Sequence, residues 1–202
     1  MKNKFAVAIH EADYAVTSYD DAGKRQHCPF YRRWASMINR CYGDVGATYT
    51  ESYVCDEWLT FSNFKRWMET QKWEGMELDK DLLYINNKEY GPNTCLFLPK
   101  VINSLFVDSK SSRGTNPIGV SFEKRRLKYE AYISIDNKKK HLGYFDNPID
   151  AHVKWQHAKL KVLEDFMKTL SEPIHIQIVE LRINKLKNDI QSNIITESLH
   201  HF

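Results

Sequence analysis

Pro117-Ile-Gly-Val-Ser-Phe-Glu-Lys-Arg-Arg126, Lys128-Tyr-Glu-Ala-Tyr-Ile-Ser-Ile135 and Lys139-Lys-His-Leu-Gly-Tyr-Phe145 are short runs separated by turns, and a helical stretch follows from Pro148. In the middle run Tyr129, Ala131, Ile133 and Ile135 alternate with Glu130, Tyr132 and Ser134, the period-two pattern of a half-buried strand. Asp136-Asn137 is a turn pair leading into a basic third strand. Asn147-Pro148 marks a helix start, with Asn147 as N-cap and Pro148 at the first helical position. Ala151, Trp155 and Ala158 fall on one helical face. The alanines let that helix lie close on a sheet, and Trp155 is its large anchor. The other sheet face is expected to carry Ser121, Tyr132, Ser134, Lys139 and His141. Such a face cannot form a core. It can lie in a major groove, where side chains reach phosphates and base edges.

Charge points the same way. Residues 110–170 hold 13 Lys and Arg against 7 Asp and Glu, while the whole chain carries a net charge of only +3. The basic residues gather in the two hairpin regions, at Lys124, Arg125, Arg126 and Lys128 and at Lys138-Lys-Lys140. Basic turns on a sheet rim suit phosphate contacts. On charge alone, a solvated turn accounts for Lys138-Lys-Lys140 equally well.

The order of strands, the Leu142-Gly143-Tyr144-Phe145 segment and the helix pattern together resemble the AP2 DNA-binding domain, best known from plant transcription factors and also found in phage nucleases. The resemblance implies double-stranded DNA as partner. Plant members carry more arginines on the reading face, whereas Ser121, Glu123 and Ser134 stand here. The plant target sequence therefore does not carry over, and the affinity of the domain is expected to be modest.

A hydrophobic share of 42% and an aromatic share of 13% mark a folded chain. No stretch approaches the ~20 apolar residues of a membrane span. The first ten residues hold too short an apolar run for a secretory signal, so a cytoplasmic location is expected, the host cytoplasm if a phage encodes the chain. Cys28, Cys41, Cys55 and Cys95 form no Cys-x-x-Cys pair and read as buried thiols. The spacings of Cys28, Cys41, Cys55 and His27 fit no usual zinc knuckle, so no zinc is expected.

The chain divides into a polar, irregular segment over 1–27 with one short strand at Phe5–Ile9, a first globular unit over 28–107, a linker over 108–116, the AP2-like unit over 117–168 and a C-terminal helix over 171–198. The apolar residues of that last helix, Ile176, Ile178, Val179, Leu181, Ile183 and Leu186, have mixed spacing. They either dock on the body or pair with a second copy in a homodimer.

In the first unit, residues 30–42 read as an amphipathic helix with Trp34, Met37, Ile38 and Cys41 on one stripe. Val54-Cys-Asp-Glu-Trp58 through Phe61, Phe64 and Trp67 reads as a second, aromatic-rich helical stretch whose rings pack the core. Met76-Glu-Leu-Asp-Lys-Asp-Leu82 reads as a strand with an acidic end, followed by a turn-rich loop through Asn86-Asn87 and Gly91-Pro92-Asn93. A second strand, Thr94-Cys-Leu-Phe-Leu98, and a short helix from Pro99 to Phe106 complete the run.

Strand, loop, strand, helix in this order resembles the ββα-metal core of HNH nucleases. The whole layout, over roughly residues 28–165, is similar to phage HNH homing endonucleases with AP2 domains. The matching positions are Asp79, Lys80, Asn93 and Asn103. The resemblance implies metal-assisted hydrolysis of a DNA phosphodiester. Asp79 and Asn103 would hold one divalent cation, Mg²⁺ being the hard ion that oxygen ligands suit. In HNH enzymes a histidine deprotonates the attacking water and the loop asparagine orients it, a role suited to imidazole. Here that position holds Lys80, and no histidine lies between His27 and His141. Lysine is protonated at neutral pH unless burial intervenes. Three readings stay open: Lys80 as a neutral base, Lys80 as a charged phosphate clamp with Asp81 or metal-bound hydroxide in the base role, or a retired nuclease kept as a DNA-binding regulator. The expected fold is α+β: an HNH-like ββα core with flanking helices, then a three-stranded antiparallel sheet packed on a helix, then a C-terminal helix.

Overall fold

The computed structural model describes residues 8–43, 51–84, 86–107, 113–135 and 138–200. The fold is α+β, and the chain separates into two compact units, Met1–Asn103 and Ser104–Phe202. The division falls inside a helix, ahead of the linker expected at 108–116, whose residues 108–112 lie outside the described ones.

Unit 1 opens with a hairpin where an irregular segment was expected. β1 (Thr17–Tyr19) pairs antiparallel with β2 (Arg25–His27). Asp20 closes the turn: its Oδ1 accepts from the amides of Ala22 (3.1 Å) and Lys24 (2.8 Å). Residues 5–7 of the expected strand lie outside the described ones, while Ile9 forms a parallel bridge to Thr60.

α1 (Pro29–Tyr42) starts on a proline at its first turn and buries Trp34, Met37 and Ile38. The expected aromatic helix over 54–67 is three elements instead: β3 (Tyr53–Val54), α2 (Asp56–Leu59) and α3 (Phe61–Glu69). The break at Thr60 has a long-range cause. The Ile9 amide donates to Leu59 O (2.9 Å) and the Phe61 amide donates to Ile9 O (3.0 Å), so the N-terminal chain takes bonds that a continuous helix would have used.

The aromatics do pack the core. Trp58, Phe61 and Phe64 are fully buried or nearly so, with Trp58 edge-on to Phe64 at 5.0 Å. The Trp34 indole donates to Trp58 O (2.7 Å), which satisfies one of the few polar groups there.

β4 (Met76–Asp79) pairs antiparallel with β6 (Leu96–Pro99), Asp79 opposite Leu96 and Met76 opposite Pro99. α4 (Lys100–Phe106) follows directly. Strand, loop, strand, helix is therefore the observed order. β4 is shorter than the expected Met76–Leu82 because Asp79 ends it: Oδ1 accepts from the amides of Asp81 (2.9 Å) and Leu82 (2.7 Å), folding the chain away from the strand. The intervening loop contributes β5 (Glu89–Tyr90), which the sequence did not announce and which pairs parallel with β3.

Unit 2 holds an antiparallel sheet in the order β7 (Val120–Glu123), β8 (Lys128–Ile135), β9 (Lys138–Phe145). Asp136 and Asn137 of the expected turn lie outside the described residues. A bulge at Ala131/Tyr132 shifts the register, so Tyr132 faces His141 and Ser134 faces Lys139. α5 (Pro148–Met167) begins as the sequence predicts, with the Asn147 side chain accepting from the Asp150 amide (2.8 Å). Val120, Ala131 and Ala151 form the buried contact of sheet and helix, flanked by Tyr129, Leu142 and Phe145. Trp155 lies against Gly119, where an added Cβ would sit 2.0 Å from its ring.

α6 (Pro173–Gln191) packs on α5 and buries Ile178, Val179, Ile183 and Leu186 within the unit. The tail after α6 is fastened from inside. Gln156 Nε2 donates to Ile194 O (2.9 Å), and Thr196 Oγ1 donates to the Asp189 carboxylate (2.8 Å). The Thr196 amide donates to His152 Nε2 (3.0 Å), while His152 Nδ1 lies 2.9 Å from Ile118 O. Burial holds His152 below the usual histidine pKa, consistent with a neutral ring that donates at Nδ1 and accepts at Nε2. Among the described residues no helix is long and apolar enough to cross a membrane.

Candidate functional site

The first candidate site is the end of β4. Asp79 and Lys80 are both buried, 7% and 4% exposed, which for two charged residues demands partners. Lys80 has them: Nζ forms an ion pair with Asp81, donates to Asn87 O (3.0 Å) and lies 5.5 Å from the Tyr90 ring centroid. In both hydrogen bonds Lys80 Nζ is the donor.

Asn87 organises that loop. Its Nδ2 donates to Lys80 O (3.0 Å) and Glu89 O (2.7 Å), and its Oδ1 accepts from the Glu89 amide (3.1 Å). The loop asparagine bonded to residue 80 is therefore Asn87. Asn93, expected in that role from its spacing, is exposed in the turn at 91–94. The signal for Asn87 was present as the Asn86-Asn87 turn pair, but family spacing favoured Asn93.

Asn103 lies on α4, and its Oδ1 is buried with no hydrogen-bond partner among the described residues. An unspent buried carbonyl oxygen is costly and calls for a donor or a cation. Asn103 Oδ1 and the Asp79 carboxylate are each oxygen donors of the type a hard divalent ion takes. The cysteines offer less. Burial pushes the Cys41 thiol up to about 11 and the Cys95 thiol up to about 12, which keeps both protonated at neutral pH.

The second candidate site is the outer face of the sheet in unit 2. The alternation of β8 places Glu130, Tyr132 and Ser134 on this face, with buried Ala131 and Ile133 on the other. Glu130 is its hub. It accepts from Lys139 Nζ (2.6 Å) and the Ser121 hydroxyl (3.3 Å), and its Oε1 lies 3.0 Å from His141 Nδ1. Burial alone would raise the Glu130 pKa, but the bonds from Lys139 and His141 outweigh it and hold the carboxyl below the usual glutamate value.

Aromatic rings interleave with the cations. Lys139 Nζ sits 4.3 Å from the Tyr132 centroid, Arg126 sits 4.8 Å from Tyr144, and His141 and Tyr144 are 4.5 Å apart. Lys124, Arg125 and Arg126 are exposed in the β7–β8 turn, and Lys128 pairs with Asp146 (2.9 Å). The structure thus brings together Ser121, Tyr132, Lys139 and His141. It places Ser134 opposite Lys139 and leaves Lys124 and Arg125 on the rim. Sequence reading passed over Glu130 and Tyr144, although the alternation that selected Tyr132 and Ser134 selects Glu130 as well.

No protein-family model, characterised protein or solved structure matches this chain.

Proposed function

We propose that the chain is a DNA-binding endonuclease of the HNH kind, in which unit 1 hydrolyses a phosphodiester with Mg²⁺ and the AP2-like sheet of unit 2 grips duplex DNA. The observation that carries the reading is the ββα order of β4, β6 and α4. Asp79 stands at the end of the first strand, and Asn103 holds an unspent buried oxygen on the helix. Asp79 and Asn103 would hold the ion. When bound, it would supply charge at the scissile phosphate and lower the pKa of a coordinated water.

The chain's own residues set the stage for that chemistry. Asp79 Oδ1 fixes the turn through two amides. Lys80 is held on Asp81 and Asn87 O, where it would act as a clamp beside the scissile phosphate. In unit 2 a polar, aromatic-studded face with a basic rim has the chemistry of a groove-binding sheet: cations for phosphates, Glu130 and the hydroxyls for base edges.

The donor role of Lys80 also favours a second reading, a DNA-binding regulator whose nuclease fold has lost its base.

One experiment separates the two. The purified chain is incubated with DNA from its own genomic neighbourhood, with Mg²⁺ or Mn²⁺ against EDTA, and read on native and denaturing gels. Metal-dependent nicks or cuts are expected. Asp79→Asn keeps an oxygen acceptor for the Asp81 and Leu82 amides while removing the charge, so cleavage should disappear with the band shift intact. A shifted but uncut band with the wild-type chain would establish the regulator, and no shift would overturn both readings.

A further inference from the structure

Unit 1 has a cleft of about 380 Å³ between α1 and β4, lined by Arg32, Arg33, Ser36, Arg40, Glu77 and Leu78. Three arginines and one glutamate line it, and the Arg40 side chain is also hydrogen-bonded to the Tyr90 side chain. On α1 the polar lining residues follow helical spacing: Arg32, Ser36 and Arg40 stand at successive fours, with Arg33 beside them.

Arg33 is fixed in place. Its Nη2 donates to Met76 O, and its guanidinium lies 5.5 Å from the Phe97 ring centroid. Its Nε is buried with no hydrogen-bond partner among the described residues. Burial lowers the Arg33 pKa, Glu77 offsets this in part, and the neighbouring Arg32 charge adds to the lowering. An anion in the cleft would relieve the mutual repulsion of the arginines that line it. Among the described residues no ion pair holds the exposed Arg32. Arginine forks match phosphate oxygens in pairs.

We propose that this arginine-lined cleft binds a backbone phosphate of DNA, a contact in the nuclease half that is separate from the AP2-like sheet. The proposal rests on the DNA-binding reading above and adds to it where unit 1 holds its substrate. β4, which forms one wall with Glu77 and Leu78, is the strand that ends in Asp79. A phosphate held there lies along the wall that leads to the proposed metal ligand.

The test uses the full chain and a double-stranded DNA fragment from its genomic neighbourhood, with affinity measured over a range of salt. Arg32→Glu and Ser36→Asp alter two exposed rim positions, so neither should disturb folding. Arg66→Glu, an exposed arginine on α3 outside the cleft, is the control. Each cleft variant is expected to weaken binding about tenfold and to flatten the log K against log salt slope by about 0.9, the share of one phosphate. The control should change little. Unchanged affinity and slope in both cleft variants, or an equal loss in the control, would overturn the cleft as a phosphate site while the wild-type chain still binds. Failure of the wild-type chain to bind DNA would instead remove the functional reading on which the proposal stands.

Discussion

The two units keep their charged groups in opposite ways. In unit 1 the pair at the end of β4 is buried and bonded mainly to backbone: Asp79 to two amides, Lys80 to Asp81 and a carbonyl. In unit 2 the Glu130 hub lies on a sheet face, its partners Lys139 and His141 about half exposed. Buried groups are committed before any ligand arrives, because exchanging their partners means opening the loop. Exposed groups trade partners at small cost, because surface ion pairs are weak. Under the function proposed above, the first arrangement would serve as a fixed reaction centre and the second as a surface that adapts to a groove.

Two glycines break this comparison most strongly, because they share a backbone conformation and differ in surroundings. Gly119 in unit 2 has φ +75° and Gly75 in unit 1 has φ +72°. An added Cβ at Gly119 would lie 2.0 Å from the Trp155 ring, whereas nothing lies within 4 Å at Gly75. Gly75→Ala should cost only the left-handed strain, about 1–2 kcal/mol. Gly119→Ala adds overpacking and should cost about 3 kcal/mol or more. Chemical denaturation of the two variants checks this, and equal losses would mean that Trp155 does not pin the sheet to α5 through Gly119.

Helix starts sharpen the comparison at smaller scale. α5 has a side-chain cap from Asn147, whereas α1, α2 and α3 of unit 1 have none. Asn147→Ala should destabilise by about 1 kcal/mol, and Thr60→Ala at the start of α3 by much less. Comparable losses in denaturant midpoint would show that Asn147 is not acting as a cap.

The same contrast explains what could be read in the sequence. β8, β9 and the start of α5 are set by neighbours in the chain: alternation, a capping asparagine and a proline at the first turn. The order of β4, β6 and α4 was legible for the same reason. The split of residues 54–67 was not, since Ile9 causes it from some fifty positions away. β5 was hidden because two residues pairing with β3 leave no pattern. At the candidate site, Asp79 could be placed from the acidic end of its strand. The Asn86-Asn87 pair marks a turn, but that Asn87 and not Asn93 bonds residue 80 depends on how the loop closes. The cleft of Arg32, Arg33 and Arg40 was not legible either, because Glu77 and Leu78 of β4 supply its opposite wall.

Glu130 offers the smallest and most informative effect. As the hub of the sheet face it holds Lys139 and His141, and in doing so it competes with any phosphate for them. Glu130→Gln removes the charge while keeping an oxygen acceptor for Ser121 and Lys139. If these cations serve DNA, the variant should bind duplex about threefold more tightly at low salt, within the range of an exposed ion pair. The gain should fade as salt rises. Acid should mimic the variant. The Glu130 pKa is depressed, so its contribution to the folded state is present above the ordinary glutamate value and is lost as pH falls through the lower, folded value. The wild-type and variant affinities should therefore converge on that acid side. A variant that binds more weakly at neutral pH would instead mean that Glu130 itself accepts from the DNA, as a carboxylate can from the amino group of cytosine. The hub would then be a reader of bases and not a brake on the cations beside it.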